Sequence, residues 1–545
     1  MESSTTEGQR FNVARSAGVI SLAVMVSRVL GLVRDQVFAI FFGAGFHYDA
    51  FLTAFRIPNL LRDLFAEGAL SSAFVTTFTQ VLEKKGEREA GRLSNRVATL
   101  MIIVIGVISV IAWFEARAIV GALAPGFFAL PGKAELATEL TRIMIPFLLF
   151  IALAAQAMGI LNAHNRFGVP ALASAFFNLG SIIGGLLLGF VFGPFIALSP
   201  IAGMAYGTLI GGFLQFAVQW PSLRRLGFSY RPMLSLSDPG VRQIARLMGP
   251  AVIGTAAVQI NVFVNTNFAS SIIDPATGAV ANGPVSWLNY AFRFMQFPIG
   301  VFGVAVATAT LPQLSRDSAR AEYDNFRRTL VHALALVFVL CIPSAVGLAV
   351  LGRPIIALIF EHGRFSAFDT VQTGNALAAY AIGLAGYAAV KVLSPAFYAF
   401  GSARTPMLIS LGSIAVNYVL NSLLVGPFGH VGLAVSTSGV ALVNFLLLGV
   451  FMRRKLGGLA GRELSLKALR IIAASAPMAA VAWSVNDFAA ALPLVGLPLN
   501  LVRVPLAVAF GAVAFYFACR WLRVDELDEA VSAVGGRSLR IFRRK

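Results

Sequence analysis

The chain runs to 545 residues, of which 57% are hydrophobic and 12% charged, with a net charge of +18. Soluble domains carry nearer 25% charged residues, so a water-soluble globular protein is excluded, and the positive balance reads as lysine and arginine in loops facing anionic lipid rather than as a nucleic-acid surface. The two cysteines, Cys341 and Cys519, both lie in apolar runs and are too few for a disulfide framework or a cysteine metal site.

A polar tail, 1–15, opens the chain without the pattern of a cleavable signal. Fourteen apolar segments follow, at 16–44, 50–82, 94–122, 135–163, 168–193, 199–222, 242–273, 284–313, 324–351, 368–400, 406–426, 430–454, 466–488 and 500–523. Lipid offers no partner to an open sheet edge, so each segment is expected to be helical, and the fold class is an all-α polytopic membrane protein.

The first segment carries Arg28 and Arg34 in its interior. Each arginine at a helix centre costs about 2.5–3.5 kcal/mol to insert, which the apolar residues around the pair only narrowly offset. On a helix Arg28, Gly31 and Arg34 step around by about 60° each, so the arginines flank an arc with glycine at its middle, where a ligand or another backbone can approach. The bland alternative is that Arg28 pairs with a carboxylate of another helix. The second segment carries Asp49, Arg56, Arg62, Asp63 and Glu67, with Pro58 and Gly68 as expected kinks.

Between segments the charge alternates. Lys84, Lys85, Arg88, Arg92 and Arg96 follow segment 2, Arg224, Arg225 and Arg231 follow segment 6, and Arg453, Arg454 and Lys455 follow segment 12. The opposite loops hold Arg117, Lys133, Arg353, Arg364 and little else. The positive-inside rule then puts both termini in the cytoplasm. The eighth segment carries Arg293 just before Phe297-Pro298, and the tenth carries Lys391 near Pro395. Arg56 and Lys391 read equally well as structural ion-pair partners or snorkelling cations.

Two short motifs recur about 240 residues apart: Phe55-Arg56-Ile57-Pro58 with Met295-Gln296-Phe297-Pro298, and Asn165-Arg166 before Pro170 with Ala403-Arg404 before Pro406. They suggest two duplicated six-helix lobes, 16–225 and 238–455, with a binding site between them, two added helices at 465–523 and a basic cytoplasmic tail at 524–545. Arginine outnumbers acid in segments 1, 2 and 8. Its planar fork grips oxyanions in bidentate fashion, so the expected ligand is a phosphate or diphosphate. No nucleotide-binding loop, metalloprotease motif or nucleophile elbow occurs, and enzymatic catalysis is not expected.

Ser27-Arg28-Val29-Leu30-Gly31, Arg34-Asp35, Phe42-Gly43-Ala44-Gly45, Asp49-Ala50-Phe51, Pro58-Asn59-Leu60-Leu61-Arg62 and Phe65-Ala66-Glu67-Gly68-Ala69 closely resemble the MviN/MurJ lipid II flippases. Ala124-Pro125-Gly126-Phe127, Asn165-Arg166-Phe167, Arg293 with Phe297-Pro298, and Lys391-Val392-Leu393 with Pro395 extend the likeness over nearly the whole chain. The resemblance implies a member of the multidrug/oligosaccharidyl-lipid/polysaccharide exporter superfamily in the bacterial inner membrane, with fourteen helices in two lobes and a lipid-tail groove formed by the last two. It implies transfer of undecaprenyl-diphosphate-linked disaccharide-pentapeptide from the cytoplasmic to the periplasmic leaflet for peptidoglycan synthesis, with lipid II and membrane lipids as partners, cell-wall synthesis proteins as further candidates, no nucleic acid and no cofactor.

Carried over by position, the family's cavity arginines match Arg28, Arg34, Arg62 and Arg293, with Gly31, Asp49, Arg56, Glu67 and Lys391 in support. Where many relatives have an acid directly before the eighth-helix arginine, this chain has Phe292. The positions matching a sodium site in some relatives, Asn265, Asn417, Asn421 and Thr437, include no carboxylate, the group that usually assists a dehydrated cation. A flippase for another polyprenyl-linked glycan shares the arginine logic. A drug or cation antiporter calls for more cavity acids, and a non-transporting scaffold gives no reason for the mid-membrane arginines.

Overall fold

The computed structural model describes residues 2–63, 71–459, 461–491 and 496–529. Among these the only β feature is a bridge between Ile273 and Val280, and the rest of the regular structure is helical. Ten helical stretches are long and apolar enough to cross a membrane among the described residues. Two of them hold a break that the apolar pattern alone also marks. Gly86 (φ 78°, ψ 177°) interrupts the run ending at Phe114, and Gly429 (φ 56°, ψ −134°) interrupts the run from Arg404 to Lys455. Both are glycines because a side chain rarely adopts a positive φ.

Contacts divide the chain into Met1–Gly283 and Pro284–Lys545. The first unit contains α1 Glu2–Phe42, α2 Phe46–Arg62, α3 Ser71–Phe114, α4 Ala116–Leu123, α5 Lys133–Met144, α6 Phe147–Ala163, α7 Gly168–Leu186, α8 Pro200–Ala217, α9 Trp220–Arg225 and α10 Pro239–Ser270. The second contains α11 Pro284–Pro298, α12 Val304–Ala319, α13 Tyr323–Phe360, α14 Ala367–Ile382, α15 Leu384–Ala399, α16 Arg404–Lys455, α17 Gly461–Ala490 and α18 Gly496–Trp521.

Three features differ from the segmentation above. The stretch 2–15 is helical and continuous with α1. The fourth segment is two helices, because Pro146 has no N–H to continue the ladder and α6 restarts behind it. By packing, α10 belongs with the first unit, although the sequence repeat assigns it to the second lobe. Gln259 of α10 donates to Asp63 at 3.2 Å, Asn267 to the Ala122 carbonyl at 2.9 Å, and Gly126 meets the Ser270 backbone so closely that no Cβ fits. At its start Asp238 caps the helix, accepting from the Gly240 and Val241 amides at 2.8 and 3.1 Å, and Arg96 binds the same carboxylate.

Phenylalanines at 74, 78, 147 and 177 fill the core of the first unit together with Leu93 and Val97. Helices α7 and α8 have glycines along their shared seam. A Cβ on Gly203 or Gly207 would overlap the backbone of Gly189 or Gly185, and one on Gly180 would lie 2.9 Å from the Gly211 Cα. Small residues let backbones touch where lipid supplies no hydrophobic drive for helix association. Gly207→Ala is therefore expected to cost about 1–3 kcal/mol by overpacking. Gly106→Ala, where a Cβ meets nothing within 4 Å, should be neutral or slightly stabilising. Thermal unfolding of the two purified variants distinguishes these outcomes.

In the second unit, Ser366 and Asp369 form a capping box at the start of α14, and Asp369 also accepts from the Trp287 indole at 2.8 Å, fixing α11 to α14. Past α18, Glu526 binds Lys467 at the start of α17 (2.8 Å), and Lys467 also holds Glu463 (2.8 Å). Burial pushes the Glu526 carboxyl up, but the Lys467 hydrogen bond, a backbone hydrogen bond and the charges of Lys467 and His332 outweigh it and hold the group below the usual carboxylate range. A carboxylate depressed in the folded state contributes stability above its unfolded value of about 4.3, and that contribution is lost as pH falls through the folded value. Acidification below about pH 4 should loosen the segment after α18, read as faster amide exchange over 522–529. Glu526→Gln should remove the pH dependence.

Candidate functional site

In the first unit, α1 presents Arg28, Gly31 and Arg34. The close approach that Gly31 permits is made by a neighbouring helix: the Asn178 amide of α7 would lie 3.7 Å from a Cβ there and donates to the Ser27 carbonyl at 3.1 Å. The two arginines on either side of this contact have different surroundings. Arg28 is exposed and forms no hydrogen bond or ion pair among the described residues. Arg34 is largely buried, donates to Asp35 at 3.3 Å and lies over the Phe177 ring at 5.5 Å from its centroid.

Helix α2 carries the next group. Pro58 stays within the helix, which runs on to Arg62. Arg56 donates to the Thr266 hydroxyl of α10 at 2.5 Å, so it helps fix α2 to α10. Arg62 uses two nitrogens on one Asp63 oxygen, at 3.1 and 2.9 Å. Arg34 and Arg62 thus each bind the aspartate that follows them in sequence. Glu67, with Gly68, lies outside the described residues.

Asp49 and Lys133 make the most buried charge pair described. Their side chains are 1% and 0% exposed and 2.9 Å apart. The same Asp49 oxygen accepts from the Gly283 amide at 2.8 Å, while Lys133 also donates to Asn282 at 2.8 Å and lies over the Phe127 ring. The loop lysine expected at an external surface is thus an interior residue at the first position of α5. Its burial follows from a partner 84 positions away, which no local pattern signals.

In the second unit, Arg293 is half-buried on α11 among aromatic neighbours. Tyr290 packs on Phe360 and Phe365 with ring centroids at 4.6 and 5.3 Å, and Phe292 sets its edge on Tyr380 at 5.4 Å. Phe292 is therefore part of an aromatic contact with α14. Just after Pro298 the helix widens into a π turn, Ile299–Gly303, where a bend is expected from the sequence. Lys391 on α15 is exposed.

Asn417, Asn421 and Thr437 are buried on the two arms of α16, where Ser436 donates to Asn417 at 3.4 Å and Thr437 to the Leu433 carbonyl at 2.8 Å. Asn265 is in the first unit, on α10. Among the described residues no group of three or more His, Cys, Asp or Glu could hold a metal ion. Chemically, Arg28, Arg34 and Arg62 offer charge-assisted donors, two of them already bound to the neighbouring carboxylates Asp35 and Asp63, and such donors can hold an anion.

The family model described as "Lipid II flippase MurJ" matches residues 38–502. The chain is 35% identical over 448 residues to the lipid II flippase MurJ of Burkholderia cenocepacia, covering 82% of this chain and 84% of that protein. It is 34% identical over 545 residues to the probable lipid II flippase MurJ of Rhizobium meliloti, covering 98% and 96%. Among solved structures, a lipid II flippase MurJ in an inward closed conformation aligns with a TM-score of 0.74 at 28% identity, over 92% of this chain and 99% of that one. An inward-facing multidrug-resistance transporter of the MATE family and MOP superfamily shares the fold, with a TM-score of 0.67 at 15% identity over 82% and 99%.

Proposed function

Since the chain belongs to the MurJ family of lipid II flippases, we propose how its own residues move that lipid. It is a polytopic inner-membrane transporter, not an enzyme, and its substrate is lipid II. In the proposed mechanism Arg28, Arg34, Arg62 and Arg293 grip the diphosphate while the headgroup occupies a water-filled cavity and the polyprenyl tail stays in lipid. Alternating access then carries the headgroup from the cytoplasmic to the periplasmic side. Asp49, Arg56, Glu67 and Lys391 support the site.

One observation carries the reading. Arg28 lies in a segment apolar enough to enter the membrane, yet it is exposed and holds no carboxylate among the described residues. A guanidinium placed there at a cost of about 2.5–3.5 kcal/mol calls for an anion. The aspartates beside Arg34 and Arg62 suit reversible binding, because the ligand exchanges with an anion already in place.

The proposed organisation has fourteen transmembrane helices, in duplicated lobes at 16–225 and 238–455 followed by a tail-binding pair at 465–523, with both termini cytoplasmic. The duplication is supported by the two short motifs that recur about 240 residues apart in the sequence.

The test is transbilayer movement of purified lipid II in proteoliposomes, with a polyprenyl-diphosphate glycan of different headgroup as competitor. The proposal expects lipid II to move and the competitor to inhibit through its diphosphate. Movement of the competitor alone would reassign the substrate.

A further inference from the structure

A second charged site lies within the first unit, where the end of α3 meets α5 and the first half of α8. A cavity of about 560 Å³ there is lined by Trp113, Arg117, Glu135, Glu139, Arg142 and Tyr206, among others. Its size is in the range of small-molecule sites, about 300–1,000 Å³. It opens at the end of these helices opposite the basic loops around 84–96 and 224–231. The flanking surface is apolar: Val107, Val110, Ile111 and Phe114 on α3 and Ile210 and Phe213 on α8 are all exposed. In a membrane-spanning bundle such a surface faces acyl chains, and Trp113 and Tyr206 are the amphipathic rings typical of the headgroup level.

The charges in the cavity form two sets. Arg117 donates to Glu135 at 3.1 Å and lies over the Phe128 ring, so these two largely satisfy each other. Arg142 donates to the Trp113 carbonyl at 3.2 Å and stacks on that indole at 5.1 Å. Its remaining nitrogens have no carboxylate among the described residues, and Glu139 likewise has no cation. Glu139 and Arg142 are three residues apart on α5, hence neighbours on its surface with Cβ atoms about 5–6 Å apart. An anion and a cation at that spacing, the cation held by Trp113 and the two not bonded to each other, complement a zwitterion.

We propose that this cavity binds the headgroup of an aminophospholipid, with Arg142 on the phosphate and Glu139 on the primary ammonium of phosphatidylethanolamine. A choline headgroup fits less well. Its quaternary nitrogen donates no hydrogen bond to Glu139 and is better held by an aromatic cage, whereas the Trp113 face is already covered by Arg142. An anionic glycerol headgroup meets Arg142 but leaves Glu139 facing like charge.

The experiment uses the full chain reconstituted in phosphatidylcholine vesicles doped with acyl-brominated phosphatidylethanolamine, phosphatidylcholine or phosphatidylglycerol. Quenching at Trp113 is taken as the difference between the parent chain and Trp113→Phe. The expected result is about threefold to fivefold stronger apparent binding of phosphatidylethanolamine than of phosphatidylcholine, the scale of one exposed ion pair. Glu139→Gln should abolish that preference, and Arg142→Gln should weaken both lipids together. Circular dichroism and gel filtration check that the variants fold. Equal quenching by the two zwitterionic lipids overturns the proposal. So does a preference that survives Glu139→Gln, or phosphatidylglycerol binding at least as well as phosphatidylethanolamine, which would mark a plain cationic patch.

Discussion

An Arg28→Ala chain inserts, folds and moves lipid II at least about tenfold more slowly than the parent, the loss expected when a charge-assisted hydrogen bond worth about 1.5–3 kcal/mol disappears. Arg28 is the cleanest arginine to test because it is exposed and bonds to nothing among the described residues. Its removal leaves no orphaned partner. Arg34→Ala is less informative by itself, since it strips the guanidinium from Asp35, which is 2% exposed, and loses stability along with function. Pairing it with Asp35→Asn separates the two effects. Arg28→Lys should restore only part of the rate, because an ammonium lacks the planar fork that matches a diphosphate. The measurement is the initial rate of lipid II translocation in proteoliposomes at matched protein content. Wild-type rates in the Arg28, Arg62 and Arg293 alanine variants would refute the assignment.

The second large effect is on stability. Asp49→Ala should destabilise the first unit by about 3–5 kcal/mol, because it leaves an ammonium buried without its counter-charge. Lys133 is 0% exposed and has only Asn282 and aromatic faces as its other described contacts. Lys133→Met should also destabilise the first unit, because it takes the ammonium away from the buried Asp49 carboxylate. The double variant Asp49→Ala with Lys133→Met should recover much of the loss, since replacing both members of a buried pair by apolar groups is often close to neutral. A double-mutant cycle on thermal unfolding measures the coupling directly. Additive losses would mean that the two residues act separately.

Much of this was legible from the residues. Apolar runs long enough to cross a bilayer can hardly be anything but helices in lipid, whereas residues adjacent on a helix do not ordinarily face each other, so the Arg34–Asp35 and Arg62–Asp63 pairs emerge only from the structure. The π turn after Arg293 follows Pro298, where a bend is expected. Other features depend on residues far apart in sequence. Lys133 sits beside Pro131-Gly132, a typical loop setting, and only its distant partner explains why it is interior. The packing of α10 with the first unit depends on Gln259 and Asn267 reaching Asp63 and the Ala122 carbonyl, contacts that no local pattern signals. The glycines of α7 and α8 are common enough in such chains that their alignment into one seam appears only in three dimensions.

That seam has a mechanical consequence. Where backbones touch at Gly185–Gly207 and Gly189–Gly203, α7 and the turn after it cannot slide along α8 without a steric clash, so in the proposed alternating access the two would move together as one arm. The Asn178 amide fastens α1 to that arm at Ser27, one residue before Arg28. Bending must then be absorbed where the backbone leaves the helical ladder, and Gly43 (φ 66°) just beyond α1 is such a joint. In the proposed mechanism Arg28 would then be displaced with the whole arm rather than by a change of its own rotamer.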